Sequence, residues 1–347
     1  MISRRGLLLQ ALAGTRQRIV SVKAAPCPLL PTSRFGTKEF RGDEDPARKR
    51  WFGPFSQLAG AVLVEIRTDQ GLTGYGLGGG GTAACHVIEQ NLRDLLVGAD
   101  ARKIEQLWEQ MFASSSFYGR RGLAVMAISG IDLALWDLAG KAAGKPVWQL
   151  LGGKVRESVP AYYTGTAMER AYELGFRAFK VGLFEGPADR GNREKLIAQL
   201  KDARAVIGRE SKLMIDCLCR WDVEFAVRAV EAELDLYFIE EPLYPDDVLG
   251  YARLRRELKS RGLTTRIACG EHEFTRYGFA ELERMEAADI FQPDLTWGGG
   301  LSEGRKIATA AEKKGIPVMP HRGGSVLGIH LVMSHSHCQL AESFGAG

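Results

Sequence analysis

Five apolar segments, each ending on Asp, Glu or His, follow one another in this chain: LMID (213–216), LYFIE (236–240), RIACGE (266–271), IFQPD (290–294) and IPVMPH (316–321). Their last residues are 24, 31, 23 and 27 positions apart, and each interval holds one amphipathic helical stretch. This alternation is typical of the βα repeat of a barrel, in which all strands end on one face. The sequence therefore predicts that Asp216, Glu240, Glu271, Asp294 and His321 share that face.

The same alternation extends to eight predicted strands, at 159–163, 178–182, 212–216, 236–240, 266–270, 288–292, 316–320 and 338–342. Short connections favour a closed barrel over an open, doubly wound sheet. Only five residues follow Glu342, so we expect no eighth outer helix. The predicted fold class is α/β, with a (β/α)7β TIM-like barrel over residues 151–347.

Residues 19–150 have a different pattern, which predicts a separate α+β domain. Strand-like alternation at 18–23 and 60–68 is followed by a tight turn and a hairpin, and 124–143 has helical periodicity. The stretch 26–54 is rich in Pro, Gly and charge and is expected to be a long loop. The run Gly78–Gly81 lacks the spacing of a dinucleotide-binding fingerprint, and we interpret it as a flexible loop.

Residues 1–18 are predicted to be a leader or a disordered extension. Ser3–Leu9 resembles a twin-arginine export signal, but the apolar part is short and no clear cleavage site follows. A cytoplasmic location is favoured, and the alternative is export to the periplasm through a degenerate signal.

Composition argues for an ordinary globular enzyme. The formal charge is +4, from 46 basic and 42 acidic residues, which gives little reason to expect a nucleic acid or membrane partner. The six cysteines form neither a CxxC pair nor a disulfide framework, so reduced thiols are expected. A soft-metal site at Cys217 and Cys219 is disfavoured because the neighbouring candidate ligands are carboxylates and no His lies nearby.

Three strand-end carboxylates are the candidate metal ligands. Asp216, Glu240 and Glu271 would supply hard oxygen atoms from successive strands, which suits Mg²⁺. Glu241 and Glu273 are second choices, because side chains alternate along a strand and only one of each pair can face inward.

Asp294 and His321 are the candidate acid–base pair. They end neighbouring strands, which lie about 5 Å apart, so the carboxylate can hold one imidazole nitrogen and leave the other to accept a proton. His272 could be a second acid or a contact for a substrate hydroxyl.

Three further residues are expected on the same face of the barrel. Lys180 could bind a substrate carboxylate, and Glu342, if protonated, could hydrogen-bond a developing enediolate. Trp297 either lines the site or packs structurally.

Together these residues resemble the enolase superfamily, in its mandelate racemase/muconate lactonizing enzyme-like branch. The resemblance covers about residues 19–342 and is most specific at 131–137, 213–216, 239–242 and 292–294. It implies that 19–150 is a capping domain over the barrel, that Asp216, Glu240 and Glu271 bind one Mg²⁺, and that Asp294–His321 is the general base. The C-terminal segment that returns to the capping domain in that family is expected to be absent, and several subunits usually assemble.

Departures from the family pattern narrow the expected reaction. Many members carry Lys-x-Lys on the second strand, but here Gly182 follows Lys180 at that spacing, which makes racemisation less favoured. The segments 180–187, 270–273 and 292–297 are similar to those of the rhamnonate dehydratases. No His occurs in residues 1–85, where that group offers one to its substrate, so the exact sugar acid stays open.

The resulting expectation is a Mg²⁺-dependent sugar acid dehydratase of carbohydrate acid catabolism. It would remove the proton alpha to the carboxylate and eliminate the 3-hydroxyl, giving a 2-keto-3-deoxy acid. The alternatives are an epimerase or cycloisomerase of the same superfamily, and an inactive sugar-acid-binding paralogue.

Overall fold

The computed structural model describes residues 15–27, 60–182, 186–187, 192–232, 234–323 and 325–345. Residues 1–14 of the predicted leader 1–18, and most of the predicted loop 26–54, lie outside the described residues. The strands are β1 (Ile19–Cys27), β2 (Ala61–Thr68), β3 (Thr73–Gly78), β4 (Ala161–Thr164), β5 (Ala178–Gly182), β6 (Lys212–Asp216), β7 (Leu236–Glu240), β8 (Arg266–Cys269), β9 (Ile290–Phe291) and β10 (Ala341–Ser343).

The α-helices lie before the barrel, between its strands and before its last strand. They are α1 (Gly81–Val87), α2 (Arg93–Leu96), α3 (Ile104–Ser115), α4 (Leu123–Ala143), α5 (Val147–Leu150), α6 (Met168–Glu173), α7 (Asn192–Ile207), α8 (Val223–Val230), α9 (Val248–Ser260), α10 (Thr275–Arg284), α11 (Gly300–Lys314) and α12 (Gly328–Ser334). A π-helical turn, Ile88–Leu92, joins α1 to α2.

The second half of the chain forms a curled parallel sheet in the order β10-β4-β5-β6-β7-β8-β9. Val318 forms one bridge with Phe291, at one end of this sheet, and one bridge with Cys338, beside the other end. These two single bridges take the place of the predicted seventh strand. Inward-facing apolar side chains fill the interior, in the way of a packed barrel core: Tyr162, Ala178, Met214, Phe238, Ala268, Ile290 and Met319. The predicted fold class, a barrel with an N-terminal α+β domain, is confirmed.

The N-terminal domain packs a three-stranded antiparallel sheet, β1-β2-β3, against helix α4. Gly74 and Gly76 on β3 make this approach possible, because a methyl group added to either would meet a carbonyl oxygen of α4 at 2.2 Å. Helix α4 is long and apolar enough to span a membrane, but 83% of it is buried inside the protein. It is the central packing element of this domain.

Helix α4 also fixes the N-terminal domain to the barrel. The carboxylate of Asp132 accepts hydrogen bonds from the Ser302 backbone N–H (3.0 Å) and hydroxyl (2.5 Å), and the Trp136 indole donates to the same hydroxyl (3.0 Å). Asp132 is fully buried, which raises its pKa to about 7. Because α11 begins at Gly300, this contact ties the start of α11, next to Trp297, to the other domain.

Candidate active site

Three carboxylates converge where strands β6, β7 and β8 end. Asp216 and Glu240 are directly paired across their strands, and Glu271 follows β8 after the turn at Gly270. One ligand oxygen from each lies within 4.8 Å of the others. Burial raises the pKa of Asp216 and of Glu240 to about 7, and Glu271 adds to the rise at Asp216 by repulsion. The donor set is all hard oxygen, and a divalent cation would relieve this repulsion, so these residues fit Mg²⁺.

His321 lies beside this cluster with its ring held by Asp294. The Nδ1 atom of His321 is 2.7 Å from Asp294 Oδ2, while Asp294 Oδ1 accepts the Thr296 backbone N–H and hydroxyl, each at 2.6 Å. The other ring nitrogen, Nε2, lies 3.5 Å from Glu271 Oε2. Since Nδ1 is engaged by the carboxylate, Nε2 is the nitrogen that faces the carboxylate cluster.

The charges around His321 favour its protonated form. Burial alone would lower its pKa, but attraction to Glu271, Glu342 and Asp294 outweighs burial and raises the pKa to about 9. A cation held by Glu271 would oppose this protonation, because it offsets the largest of these attractions.

Lys180 lies inside the barrel mouth between two carboxylates. Its Nζ atom is 2.5 Å from Glu240 Oε1 and 2.8 Å from Glu342 Oε1, and only 1% of its side chain is exposed. In this structure the Lys180 ammonium is paired with carboxylates of the protein, and its contact with a substrate carboxylate stays a prediction. Burial opposes its charge, but Glu240 and Glu342 outweigh burial and raise the pKa of Lys180 above its ordinary value.

Glu342 differs from the expected protonated acid. Burial would raise its pKa, but Lys180 and His321 together with a hydrogen bond from Thr164 lower it to about 2. Its second oxygen accepts the Arg322 backbone N–H at 2.9 Å. Glu342 is therefore a carboxylate that holds Lys180, and it is not an acid poised to donate a proton.

His272 is held by Glu241, a pairing that the sequence did not indicate. The Nδ1 atom of His272 lies 2.6 Å from Glu241 Oε2 and 3.4 Å from Glu271 Oε1. Glu241 also accepts the backbone N–H groups of Gly270 and His272, at 3.1 and 3.2 Å. Burial would lower the pKa of His272, but Glu241 and Glu271 outweigh it and raise the pKa to about 10.

Trp297 lies beside both histidines. Its ring centroid lies 5.6 Å from that of His272 and 5.5 Å from that of His321, and the residue is only 3% exposed. Gly79 of the N-terminal domain packs on it, since an added methyl would meet Trp297 Cδ1 at 2.5 Å, and the Gly79 N–H donates to Thr296 O at 3.0 Å. The interpretation of the glycine run as a flexible loop is wrong at Gly79, where glycine permits close contact with the site.

Comparisons with protein families agree with this arrangement. Residues 164–346 match the family model "Enolase C-terminal domain-like", and residues 55–152 match "Mandelate racemase / muconate lactonizing enzyme, N-terminal domain". The chain belongs to the enolase superfamily.

Solved structures of this superfamily with different reactions resemble the chain. Rhamnonate dehydratase from Gibberella zeae, complexed with Mg, is 30% identical with a TM-score of 0.85, over 96% of this chain and 85% of that chain. A Streptomyces coelicolor racemase with bound magnesium is 28% identical, with a TM-score of 0.75 over 94% and 89% of the two chains. The 3,6-anhydro-D-galactonate cycloisomerase from Zobellia galactanivorans is 32% identical, with a TM-score of 0.72 over 82% of each.

Within this superfamily site, the role of Gln292 could be recognised only in the structure. Gln292 donates from Nε2 to Glu240 Oε2 at 2.6 Å, so Glu240 is held from both sides. Glu241 turns away from the carboxylate cluster at a positive φ of 38°. Glu273, the other second choice, is buried beside Arg121 at 3.5 Å and does not join the cluster.

Proposed function

We propose that the protein is a Mg²⁺-dependent sugar acid dehydratase that acts on a rhamnonate-like substrate. The observation that carries the proposal is the position of His321, whose Nε2 faces the three-carboxylate site while Asp294 fixes Nδ1. This is the geometry of an oriented general base next to a metal site. The likeness to a rhamnonate dehydratase complexed with Mg supports the choice of substrate class and metal.

Asp216, Glu240 and Glu271 would hold the Mg²⁺, and Lys180 and Gln292 orient Glu240 for that task. Bound there, Mg²⁺ would supply positive charge that stabilises the negative charge developing on a substrate carboxylate. The ion pair between Lys180 and Glu342 holds both side chains in place at the end of the barrel that carries the site.

His321 Nε2 would take the proton alpha to the substrate carboxylate, leaving an enediolate. The 3-hydroxyl then leaves as water with a proton from an acid of the site, and His272 is placed to give it. Glu241 holds His272 Nδ1 at 2.6 Å, which fixes the orientation of the imidazole ring. Tautomerisation of the resulting enol gives a 2-keto-3-deoxy acid.

Two histidines beside Trp297 would thus share the reaction, with His321 as the base and His272 as the acid. Lys180 is poorly suited to be a second base, because its two carboxylate partners favour its charged form. A racemase needs bases on both faces of the α-carbon, so elimination is the reaction that this residue set favours.

The test is a panel of sugar acids, including L-rhamnonate, assayed for 2-keto acid formation with Mg²⁺ and with EDTA. The proposal expects product from at least one six-carbon acid, only when Mg²⁺ is present. A purified, folded protein that forms no 2-keto acid from the whole panel but epimerises or cyclises a member of it would refute the proposal.

A further inference from the structure

A second group of potential metal ligands lies next to the three carboxylates. Cys219, Glu241 and His272 each present one ligand atom, and these atoms lie within 4.8 Å of one another. Cys219 Sγ is 3.3 Å from Glu241 Oε2, and His272 Nδ1 is 2.6 Å from the same oxygen. We call these three residues the thiol cluster. It shares no residue with the set Asp216, Glu240 and Glu271. The sequence disfavoured a soft-metal site at Cys217 and Cys219 because no His lies near them along the chain, but the fold brings His272 to Cys219.

The spacing of the thiol cluster is close to that of a tetrahedral site with three protein ligands. With Zn–N and Zn–O near 2.0 Å and Zn–S near 2.3 Å, the ligand atoms of a tetrahedron stand about 3.3 to 3.6 Å apart. The observed distance from Sγ to Oε2 already has that value. The Nδ1 and Oε2 atoms, which lie 2.6 Å apart, would need to separate by roughly 0.7 Å.

The chemistry of the two adjacent clusters differs. A thiolate, an imidazole and a carboxylate suit a borderline or soft ion such as Zn²⁺, whereas three carboxylates suit Mg²⁺. The thiol cluster is also reachable, because 30% of the His272 side chain is exposed, in contrast to 4% for Glu241. The thiol cluster should therefore prefer softer ions such as Zn²⁺, and the three carboxylates should prefer Mg²⁺.

The backbone holds Cys219 in this position at some cost. Leu218 and Cys219 both have positive φ, of 52° and 56°, a region that residues with side chains seldom occupy. The Cys219 N–H donates to Glu241 O at 2.7 Å, which fixes the thiol next to the Glu241 side chain. This turn directly follows Asp216, so the thiol cluster is built on the same strand ends as the carboxylates.

We propose that Cys219, Glu241 and His272 form a second metal site, selective for thiophilic divalent ions such as Zn²⁺. Binding releases two protons to solvent, one from the Cys219 thiol and one from His272 Nδ1, and puts Cys219 Sγ, His272 Nδ1 and a Glu241 oxygen on the metal. Given the proposed function, the ion would also remove the acid of the dehydration, so Zn²⁺ would inhibit the Mg²⁺-loaded enzyme. The site itself does not depend on that function.

Binding is tested with Cd²⁺, a spectroscopic substitute for Zn²⁺, on the full chain saturated with Mg²⁺ to fill the carboxylate site. We expect one Cd²⁺ per chain, with an ultraviolet thiolate-to-metal charge-transfer band, in the wild type. Mutation of an outer-shell partner costs metal affinity about 10–100-fold, so loss of a direct ligand should raise the Cd²⁺ dissociation constant by more than about 100-fold. Cys219→Ser and His272→Gln should both show this, and Cys219→Ser should lose the band.

The matched control is Cys27→Ser, which removes another partly exposed thiol, in β1, far along the chain. It should keep the band and the affinity of the wild type. A band that is absent from the wild type, or that survives in Cys219→Ser with unchanged affinity, would overturn the second metal site. Because the readout is binding, an inactive protein that shows the band would refute the dehydratase proposal alone.

Discussion

Replacing Asp216 with Asn should stabilise the protein when no metal is present. Burial and repulsion raise the pKa of Asp216 from 3.8 to about 7. In an acid whose folded-state pKa is raised, ionisation costs stability, and the cost appears as the pH rises from the unfolded value through the folded one. A rise of the Asp216 pKa from 3.8 to about 7 corresponds to a full cost of about 4 kcal/mol in the free energy of unfolding. Asn mimics the neutral acid and removes that cost.

The magnitude expected in practice is about 2 to 4 kcal/mol at pH 8, because solvent reaches part of Asp216 and screens its charge. Asn can keep the hydrogen bond that Asp216 Oδ1 accepts from the Leu218 N–H at 2.9 Å. Near pH 4 the carboxyl is largely neutral in the folded protein, so the difference between the two proteins should become small. The comparison of wild type with Asp216→Asn near pH 4 is therefore the internal control.

The assay is urea unfolding of wild type and Asp216→Asn in EDTA and in Mg²⁺. Mg²⁺ at about a hundred times its dissociation constant should add about 2.7 kcal/mol to the wild type and far less to the variant, which has lost a ligand. If the variant is less stable than wild type in EDTA at pH 8, the claim that an ionised Asp216 destabilises the metal-free protein is refuted. An equal response of both proteins to Mg²⁺ would refute the assignment of Asp216 as a ligand.

Three further predictions concern activity. His321→Asn should lower kcat for 2-keto acid formation by about 10²–10⁴-fold, because the general base is lost, while circular dichroism stays that of wild type. Glu241→Gln removes the nearer of the two carboxylates beside His272, so in D₂O the ratio of α-proton exchange to water loss should rise; an unchanged ratio would contradict the role of His272 as the acid. Gly79→Ala forces a methyl group against Trp297 and should cost about 1–3 kcal/mol in stability and lower kcat/KM.

The Gly79 prediction has a control within the same chain. A methyl group added at Gly182 meets none of the described residues within 4 Å, so Gly182→Ala should leave the unfolding midpoint close to that of wild type. Equal losses of stability in both variants would mean that the contact with Trp297 is not the cause.

The strand-end pattern predicted the fold and the convergence of five side chains, because both follow from local periodicity. Each βα unit places its last strand residue on one face, so Asp216, Glu240, Glu271, Asp294 and His321 meet without any knowledge of packing. The seventh strand was predicted less well, since Pro317 and Pro320 flank Val318 and only single bridges form there.

Contacts that depend on the turns after the strands could not be predicted. Glu241 reaches His272 because its backbone takes a positive φ directly after β7, and nothing in Ile239-Glu240-Glu241-Pro242 indicates that turn. The charge state of Glu342 depends on Lys180, which lies 162 positions earlier in the chain. Sequence position alone therefore could not indicate the charge state of Glu342.

The contact between Gly79 of the N-terminal domain and Trp297 of the barrel also could not be predicted from the sequence. The neighbours of Gly79 in the sequence are glycines, which by composition indicate flexibility, but the space it leaves is occupied by Trp297 from the barrel. Only the docking of the two domains through α4 reveals this contact.

The central claim is that His321 removes an α-proton and that water is then eliminated. The most direct test is to incubate the Mg²⁺-loaded protein with L-rhamnonate and the other sugar acids in D₂O and to follow the products by NMR. The account predicts a 2-keto-3-deoxy acid that carries one solvent deuterium at C3, and no such product with His321→Asn. Deuterium at C2 of a recovered sugar acid, with no 2-keto-3-deoxy acid formed from any member of the panel, would contradict it.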